Sequence, residues 1–310
     1  MDDLVGQLRA RNVTVKSIAF FRKTPVAHMI WQKYIAPLFV LLFVCLLGDG
    51  AAADGYLVAI SAEADTENNQ AYSAFSELGI GESTWISGGL ATSRTDSLSS
   101  NFDAVYADAQ IDHLFDPVGV RVSLGYWGDS DVLDSVDVRS SIYIKNERIS
   151  LSADYERRDY DLSVELPLLQ QERTLSFRAD GIGFSGRAHP GERVSVYLGG
   201  MWYDYPENIT VEPGVRELRF LSLSRLMLAH GLLDRRSHTG VEVEFGQRSV
   251  DFRYTNWRGI ADQGSIDSFG VGFLTPLGAL SDIEIRLSRD DSDTFGDATV
   301  LSVFLYFFGA

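Results

Sequence analysis

A repeated alternation of apolar and polar residues constrains this chain more than any other feature of its sequence. In the segment that begins at Ile149, apolar side chains occupy every second position as far as Tyr155, and Ser and Asp occupy the positions between them, with Glu156 next. Segments of this kind, about ten residues long, follow one another along most of the chain. Successive side chains of a β-strand point to opposite faces, so the pattern predicts an all-β, antiparallel structure of many strands.

The C-terminal segment explains how such strands would be arranged. Residues 300–308 contain three phenylalanines and a tyrosine and carry no charge. So apolar a strand at the edge of a soluble sheet promotes aggregation, whereas pairing with the first strand would close the sheet into a transmembrane barrel. In that arrangement Leu301, Val303, Leu305 and Phe307 would face lipid, and Ser302 and Tyr306 would face inward.

Four features favour a transmembrane barrel over a soluble sandwich, in which alternation also occurs. The segments are long, small residues are frequent on the polar face, and short turns alternate with longer, more acidic connections. Aromatic residues also gather near strand ends, as an interfacial girdle requires. The predicted girdle consists of Tyr126, Trp127, Trp202, Tyr203, Tyr254 and Trp257.

The order of turns predicts an up-and-down barrel of fourteen strands. Short turns such as 81–83 fall on the same side as both chain ends, and we expect that side to face the periplasm. Sixteen strands are the alternative, because residues 160–166 also alternate and residues 218–223 would supply a partner strand. The longest predicted outer connections are 157–173, 204–236 and 289–297.

The N-terminal residues predict export. A run of thirteen apolar residues follows Lys33 and precedes three alanines, which is the order of a secretory signal peptide. We therefore expect a signal peptide at 29–53, cleaved after Ala53, and a barrel at 54–310. Residues 1–28 would be an N-terminal extension or the result of a misassigned start site. The alternative for 29–53 is an uncleaved membrane anchor, although the apolar run is short for one.

Charge and cysteine content exclude several functions. The chain carries 43 acidic and 27 basic residues, a formal net charge of −16, which argues against nucleic acid as a partner. The single cysteine, Cys45, lies in the predicted signal peptide, so the barrel would contain no disulfide. The sequence shows no metal-ligand spacing or phosphate-binding motif, and we expect neither a metal nor a cofactor.

The signal peptide, the alternating segments and the aromatic terminal strand together resemble the porin-like class of bacterial outer-membrane β-barrels, over residues 30–310. The resemblance is to the class and not to an individual family. It implies a location in the outer membrane of a Gram-negative cell. It also implies partners, namely outer-membrane lipids and lipopolysaccharide, the barrel-insertion machinery, and small solutes.

The polar face of the alternating segments is predicted to line a pore. Its carboxylates outnumber its basic groups, and an acidic lumen favours cations. We therefore expect a channel for passive diffusion of small solutes with a mild preference for cations. The alternative is a closed structural or assembly barrel, filled by charge pairs between neighbouring strands. The predicted pore-lining residues are Glu63, Glu77, Arg121, Asp137, Arg139, Lys145, Asp154, Glu156, Glu242, Glu244, Asp251, Arg253, Glu284 and Arg286.

The segment 220–234 breaks the alternation. Its Leu-rich composition and its apolar spacing predict a helix within the longest outer loop. The helix would either fold into the mouth of the barrel as a gate or cap the rim without gating. The candidate gate residues are Leu223, Arg225, Met227 and His230.

Catalysis has little support in the sequence. Ser237 lies beside His238, which places a hydroxyl next to an imidazole without forming a specific motif. A membrane-embedded lipid hydrolase is therefore the second alternative function. We expect the chain not to be an enzyme.

Overall fold

The computed structural model describes residues 55–96, 101–129, 133–166, 171–206, 232–260, 264–292 and 296–309. These residues form fourteen antiparallel strands. The predicted signal peptide (29–53), residues 1–28 and the candidate gate lie outside the described residues. The strands are β1 Tyr56–Asp65, β2 Gln70–Ile80, β3 Thr84–Asp96, β4 Asn101–Leu114, β5 Val118–Asp129, β6 Leu133–Lys145, β7 Ile149–Leu166, β8 Gln171–Gly191, β9 Val194–Asp204, β10 Leu233–Phe245, β11 Arg248–Gly259, β12 Ser265–Gly278, β13 Ser281–Ser292 and β14 Gly296–Gly309.

Each strand pairs with its neighbours in sequence, and β14 pairs with β1 to close the barrel. The closing register runs from Tyr56 opposite Gly309 to Asp65 opposite Val300, so every residue of β1 has a partner on β14. Ser302 is buried, whereas Leu301 and Phe307 on the other face are exposed. The predicted all-β up-and-down barrel and its closing strand are therefore confirmed.

The alternative of sixteen strands is wrong. Residues 160–166 do alternate, but they continue β7, which pairs with β8 without interruption from Ile149 opposite Ala188 to Leu166 opposite Gln171. The predicted loop 157–173 is thus mostly a long hairpin. The charged residues that suggested a loop, Arg157 and Asp159, lie on the strand and pair with each other.

The two ends of the barrel differ in their connections. At the short-turn end, which also holds the starts of β1 and the end of β14, six turns of two or three residues join the strands. At the other end, which we call the long-loop end, six connections have three to five residues and one spans 205–232. Most outer connections are therefore shorter than predicted. Asp290 and Asp291 belong to β13 and Asp297 belongs to β14, not to an acidic loop.

Within the described residues all regular secondary structure is strand. No helix among them is long and apolar enough to cross a membrane. The predicted helix at 220–234 falls largely outside the described residues, and from Leu233 onward the chain is strand β10.

The outer surface of the barrel is apolar. Large apolar side chains point away from the interior on strands all round the barrel and are exposed. A closed barrel leaves no unpaired strand edge, and such an outer face is suited to lipid. This is the architecture of an outer-membrane protein, and the chain accordingly belongs in the cell outer membrane. Examples of the exposed residues are Ile60, Ile86, Ile111, Leu124, Ile142, Leu151, Ile182, Leu198, Phe252, Phe269, Ile285 and Leu301.

Candidate functional site in the barrel interior

The interior is built in layers along the barrel axis, and β7 passes through all of them. From the short-turn end, its inward residues are first small and polar, then charged at Glu156 and Arg158, and finally apolar at Tyr160 and Leu162. On β6 and β10 the inward positions likewise change from Arg139 and Arg236 to the apolar residues Leu133 and Leu233 toward the long-loop end. One side of the barrel therefore holds an apolar layer near the long-loop end, a charged layer below it, and open space toward the short-turn end.

The apolar layer is a cluster of buried side chains near the long-loop end. Trp127, Leu133 and Tyr160 are almost fully excluded from solvent, and Phe177 stacks on Tyr160 with 5.1 Å between ring centroids. Trp257 packs against the cluster. Side chains of this size inside a barrel narrow the lumen along the wall formed by β4 to β10. The cluster consists of Ala104, Trp127, Leu133, Tyr160, Leu162, Ala179, Met201, Tyr203, Leu232 and Leu233.

Directly below lies a buried charge cluster centred on Glu156. One carboxylate oxygen of Glu156 accepts hydrogen bonds from Nε of Arg139 at 2.8 Å and Nε of Arg158 at 3.0 Å. The other accepts from the Tyr203 hydroxyl at 2.7 Å and from Nη2 of Arg236 at 3.2 Å. Three guanidinium groups from three strands thus converge on one carboxylate. Such a site is stable only because each charge has a partner, since burying an unpaired charge is very costly.

Below the charge cluster is a cavity of about 560 Å³, which we call the arginine-lined cavity. Four arginines border it, with Asp154 and Glu156 as its carboxylates and with His238 and Trp257 in its wall. Arg187 pairs with Glu242 at 3.1 Å, and Arg253 pairs with Asp251 at 3.3 Å. The four arginines are Arg139, Arg187, Arg236 and Arg253.

A second cavity of about 710 Å³, the short-turn cavity, continues toward the short-turn end. In its wall Asp112 receives two hydrogen bonds from Arg121 and one from the Tyr143 hydroxyl at 2.6 Å. Lys145 and Glu77 also line it. The two cavities share part of their lining, so they are adjacent in the barrel interior. The shared residues are Ser141, Asp154, Ser185, Arg187, Tyr197 and His238.

The opposite wall, from β12 through β14 to β1, carries smaller residues and separate ion pairs. Glu284 accepts hydrogen bonds from Arg286 at 2.5 Å and from the Tyr306 hydroxyl at 2.8 Å. Glu63 accepts one from Ser302 at 2.8 Å across the closing pair of strands. Glu244 is exposed at the short-turn end of β10.

The pattern of charge pairing differs from the predicted one. Asp251 with Arg253 and Glu284 with Arg286 were expected to bridge neighbouring strands, but each pair lies on a single strand, two residues apart. Residues two apart share a face of a strand, which makes this contact available without any change in strand register. Pairs between strands are formed instead by Arg139 with Glu156 and by other arginines with their acidic partners.

The predicted aromatic girdle is partly wrong. Trp127 and Tyr203 are buried in the apolar cluster, and Trp257 packs on that cluster and lines a cavity, so these three point inward. Alternation turns a neighbouring residue to the other face, which is why Trp202 is half exposed while Tyr203 is buried. Trp202 stacks on Phe184, and the Tyr254 ring lies tilted against that of Phe269. Trp202, Tyr254 and Tyr126 stay candidates for an interfacial girdle.

The described residues offer little for catalysis. Ser237 and His238 are consecutive on β10, so their side chains point to opposite faces and cannot form the proposed pair. A Ser195 hydroxyl does lie 2.9 Å from Nδ1 of His189, but among the described contacts no carboxylate orients the other ring nitrogen. No group of three or more His, Cys, Asp or Glu side chains in the described part of the chain is placed to hold a metal ion. The candidate gate residues Leu223, Arg225, Met227 and His230 lie outside the described residues.

Sequence reasoning did not predict several residues that lie in the barrel interior. Arg158 and Arg236 fell in segments predicted to be loops, and Arg187 lies on β8, where alternation is too irregular to assign faces. Continuing the alternation from Glu156 by one further step would have found Arg158. Nothing in the local sequence indicates that Arg139, Arg158 and Arg236 share one carboxylate, because these residues lie on three different strands.

The comparisons with known proteins support the barrel fold and identify no family. No protein-family model and no curated protein matches the chain. Among solved structures, it is similar to the CymD monoaromatic hydrocarbon channel, with a TM-score of 0.51, 7% identity, and 86% of this chain and 90% of that chain covered.

Two further solved structures are more distant. The NanC porin has a TM-score of 0.46 and 8% identity, with 81% of this chain and 98% of that chain covered. OccAB4 of Acinetobacter baumannii has a TM-score of 0.43 and 8% identity, with 82% and 97% covered. At such low identity these likenesses concern the barrel fold alone.

Proposed function

We propose that the chain is an outer-membrane channel through which small solutes diffuse passively. The observation that carries the proposal is the pair of adjacent cavities, the arginine-lined and the short-turn cavity, that lie with polar linings inside a closed barrel. Structures that serve only as scaffolds fill a small barrel with side chains, whereas this interior retains space on the scale of a small ligand.

A mild preference for cations is the finer part of this proposal. Among the predicted pore-lining residues carboxylates outnumber basic groups, and they still do when the further inward residues Asp112, Asp290, Arg158, Arg187 and Arg236 are included. The summed field of an acidic lumen raises the local concentration of cations. Pairing of these carboxylates with arginines reduces the field, which is why only a mild preference is expected.

Planar-bilayer recording tests both parts. Purified, refolded protein is expected to produce stepwise conductance in potassium chloride. In a salt gradient, the reversal potential is expected to have the sign of a pore that prefers potassium to chloride. Flat traces from correctly folded protein would contradict the channel. Conductance with a reversal potential of the opposite sign would contradict the cation preference and leave the channel intact. Heat-modifiable migration on gels establishes that the barrel is folded before either result is read.

A closed structural or assembly barrel is the second candidate function, and the apolar cluster is the observation that favours it. Trp127, Leu133 and Tyr160 are almost fully excluded from solvent, so their side chains occupy part of the lumen. If they close the lumen, wild-type protein will not conduct, but a Trp127→Ala variant that still shows heat-modifiable migration will. Conductance by the wild type would exclude this candidate.

A further inference from the structure

In several interior ion pairs the arginine side chain is more exposed than the carboxylate with which it pairs. In the Arg187–Glu242 pair the arginine side chain is 44% exposed and the glutamate 25%. In the Arg253–Asp251 pair the values are 37% and 14%, and Arg236 is 28% exposed against 0% for Glu156. In each pair the carboxylate lies toward the barrel wall and the guanidinium lies toward the open space. The surface that a solute meets is therefore richer in arginine than the sequence indicates.

Tyr197 fixes two of these arginines in the same wall. The guanidinium carbons of Arg187 and Arg253 lie 5.2 Å and 5.5 Å from its ring centroid, within the range of cation–π contacts. The Tyr197 hydroxyl donates to Asp251 at 2.6 Å and accepts from Nε of Arg253 at 2.9 Å. The two guanidinium groups are thus held in place before any solute arrives.

Gly240 on the neighbouring strand makes room for that ring. A Cβ at position 240 would lie 2.3 Å from Cζ of Tyr197, so the tyrosine can lie against the wall only because residue 240 has no side chain. An aromatic ring that covers a glycine is also one of the devices that fix strand register in β-sheets. Here it sets the position of the arginine pair.

The side chains that line the arginine-lined cavity include more guanidinium groups than carboxylates. Arg139, Arg187, Arg236 and Arg253 border it, whereas its carboxylates are Asp154 and Glu156. The cluster around Glu156 holds three guanidinium groups, of Arg139, Arg158 and Arg236, against two carboxylates, because Arg139 also pairs with the buried Asp137. His238 in the same wall is no source of negative charge.

We propose that this cavity binds small solutes through an oxyanion group, either a carboxylate or a phosphate monoester. Guanidinium groups match the geometry of both oxyanions and can bind them with paired hydrogen bonds. A volume of about 560 Å³ is in the range of small-ligand sites. The proposal rests on the proposed channel function, because it names the chemical class of solute that would dwell in the lumen.

A local oxyanion site is compatible with a mild overall preference for cations. The reversal potential in potassium chloride depends on the field of the whole lumen, whereas binding depends on the groups within hydrogen-bonding distance of the solute. The two properties are therefore measured separately.

The test is block of the potassium chloride current by added solutes. Succinate and its neutral analogue succinamide form one matched pair of probes, and glycerol 3-phosphate and glycerol form the other. We expect at least one anion to reduce the current and neither neutral analogue to do so at the same concentration. The succinate arm and the phosphate arm show which oxyanion the site prefers. Equal effects of an anion and its neutral analogue in both arms would overturn the proposal.

Variants locate the site. Arg187→Gln with Arg253→Gln is expected to raise the half-blocking concentration about tenfold or more, because two charge-assisted contacts are lost. The double lysine variant, which keeps both charges but not the planar fork, is expected to fall in between. Arg157→Gln is the control, because it removes one positive charge, as each of the other two substitutions does. Arg157 lies on the outer surface, where it pairs with Asp159, so its loss is expected to leave block unchanged. Block that survives in the double glutamine variant would overturn the site.

Equilibrium dialysis with labelled succinate and glycerol 3-phosphate separates this proposal from the channel function. If folded protein does not conduct but binds an anion, and the double glutamine variant does not, the channel is contradicted and the oxyanion site stands. If folded protein conducts but neither anion binds or blocks, the site is contradicted and the channel stands.

Discussion

The buried charge cluster around Glu156 and the arginine wall around Tyr197 use the same residue types and differ in their burial. Glu156 and Arg158 have no exposed surface, and four donors surround the carboxylate. Arg187 and Arg253 pair with carboxylates at similar distances but keep a large part of their side chains exposed. In the first region the charges bind one another, and in the second they also face the open lumen.

The comparison separates a structural role from a functional one. A buried pair is strongly destabilised when one partner is removed, because the remaining charge has neither water nor a partner. An exposed pair contributes little to stability, so its residues can serve to bind solutes. Changes in the buried cluster should therefore alter stability, and changes in the arginine wall should alter solute binding.

The largest effect is expected for Glu156→Gln. This substitution keeps the side-chain shape but leaves Arg139, Arg158 and Arg236 without their common carboxylate, and we expect a loss of about 3–5 kcal/mol in the free energy of unfolding. Urea unfolding of the refolded barrel, followed by tryptophan fluorescence, measures it. Asp159→Asn removes an exposed carboxylate from the outer surface of β7 and serves as the control, with an expected loss of less than about 1 kcal/mol. Equal losses in the two variants would contradict the distinction.

Trp127→Ala tests the apolar layer above the charge cluster. Removing a fully buried tryptophan is expected to cost about 3 kcal/mol in unfolding free energy and to widen the lumen, which should increase the single-channel conductance. Trp202→Ala on the outer surface is the matched control, and its conductance should equal that of the wild type. An unchanged conductance in Trp127→Ala would show that this layer does not limit passage.

Gly240→Ala tests the position of Tyr197. The added methyl group would overlap the tyrosine ring, so we expect a loss of about 1–3 kcal/mol in unfolding free energy and a several-fold weaker anion block. Gly270→Ala is the control, because its Cβ would lie 3.3 Å from Cβ of Ser288 and requires only a small shift. If anion block stays unchanged while stability falls, the ring does not position the arginines.

The smallest effects are expected for two tyrosines, Tyr203 in the buried charge cluster and Tyr197 in the arginine wall. Tyr203→Phe removes a hydroxyl from the buried cluster and is expected to cost about 1–2 kcal/mol in unfolding free energy without changing anion block. Tyr197→Phe removes the hydroxyl that joins Asp251 to Arg253, and is expected to weaken block more than it weakens stability. If one of the two variants had the larger effect on both the unfolding free energy and the anion block, the assignment of roles would be contradicted.

Much of the barrel was predictable from residues alone. The alternation from Ile149 and the apolar strand at 300–308 predicted strands, their faces and the closing pair, because a period of two is a local property that each strand displays independently. Ser302 inward and Leu301 outward follow from that period without any knowledge of neighbouring strands. The sequence was less informative where strands extend past the apolar band, and the charged stretch after Glu156 was therefore mistaken for a loop.

The sequence by itself determined the class of fold and which residues of a regular strand face inward. Only the tertiary structure decided that Arg139, Arg158 and Arg236 converge on Glu156, and that carboxylates lie behind arginines in the lumen wall. The physical reason is that strand faces depend on local periodicity, whereas ion pairing and burial depend on the register of strands that are distant in the chain. A count of inward charges therefore gives the total charge of a lumen, and the three-dimensional arrangement determines which of those charges a solute meets.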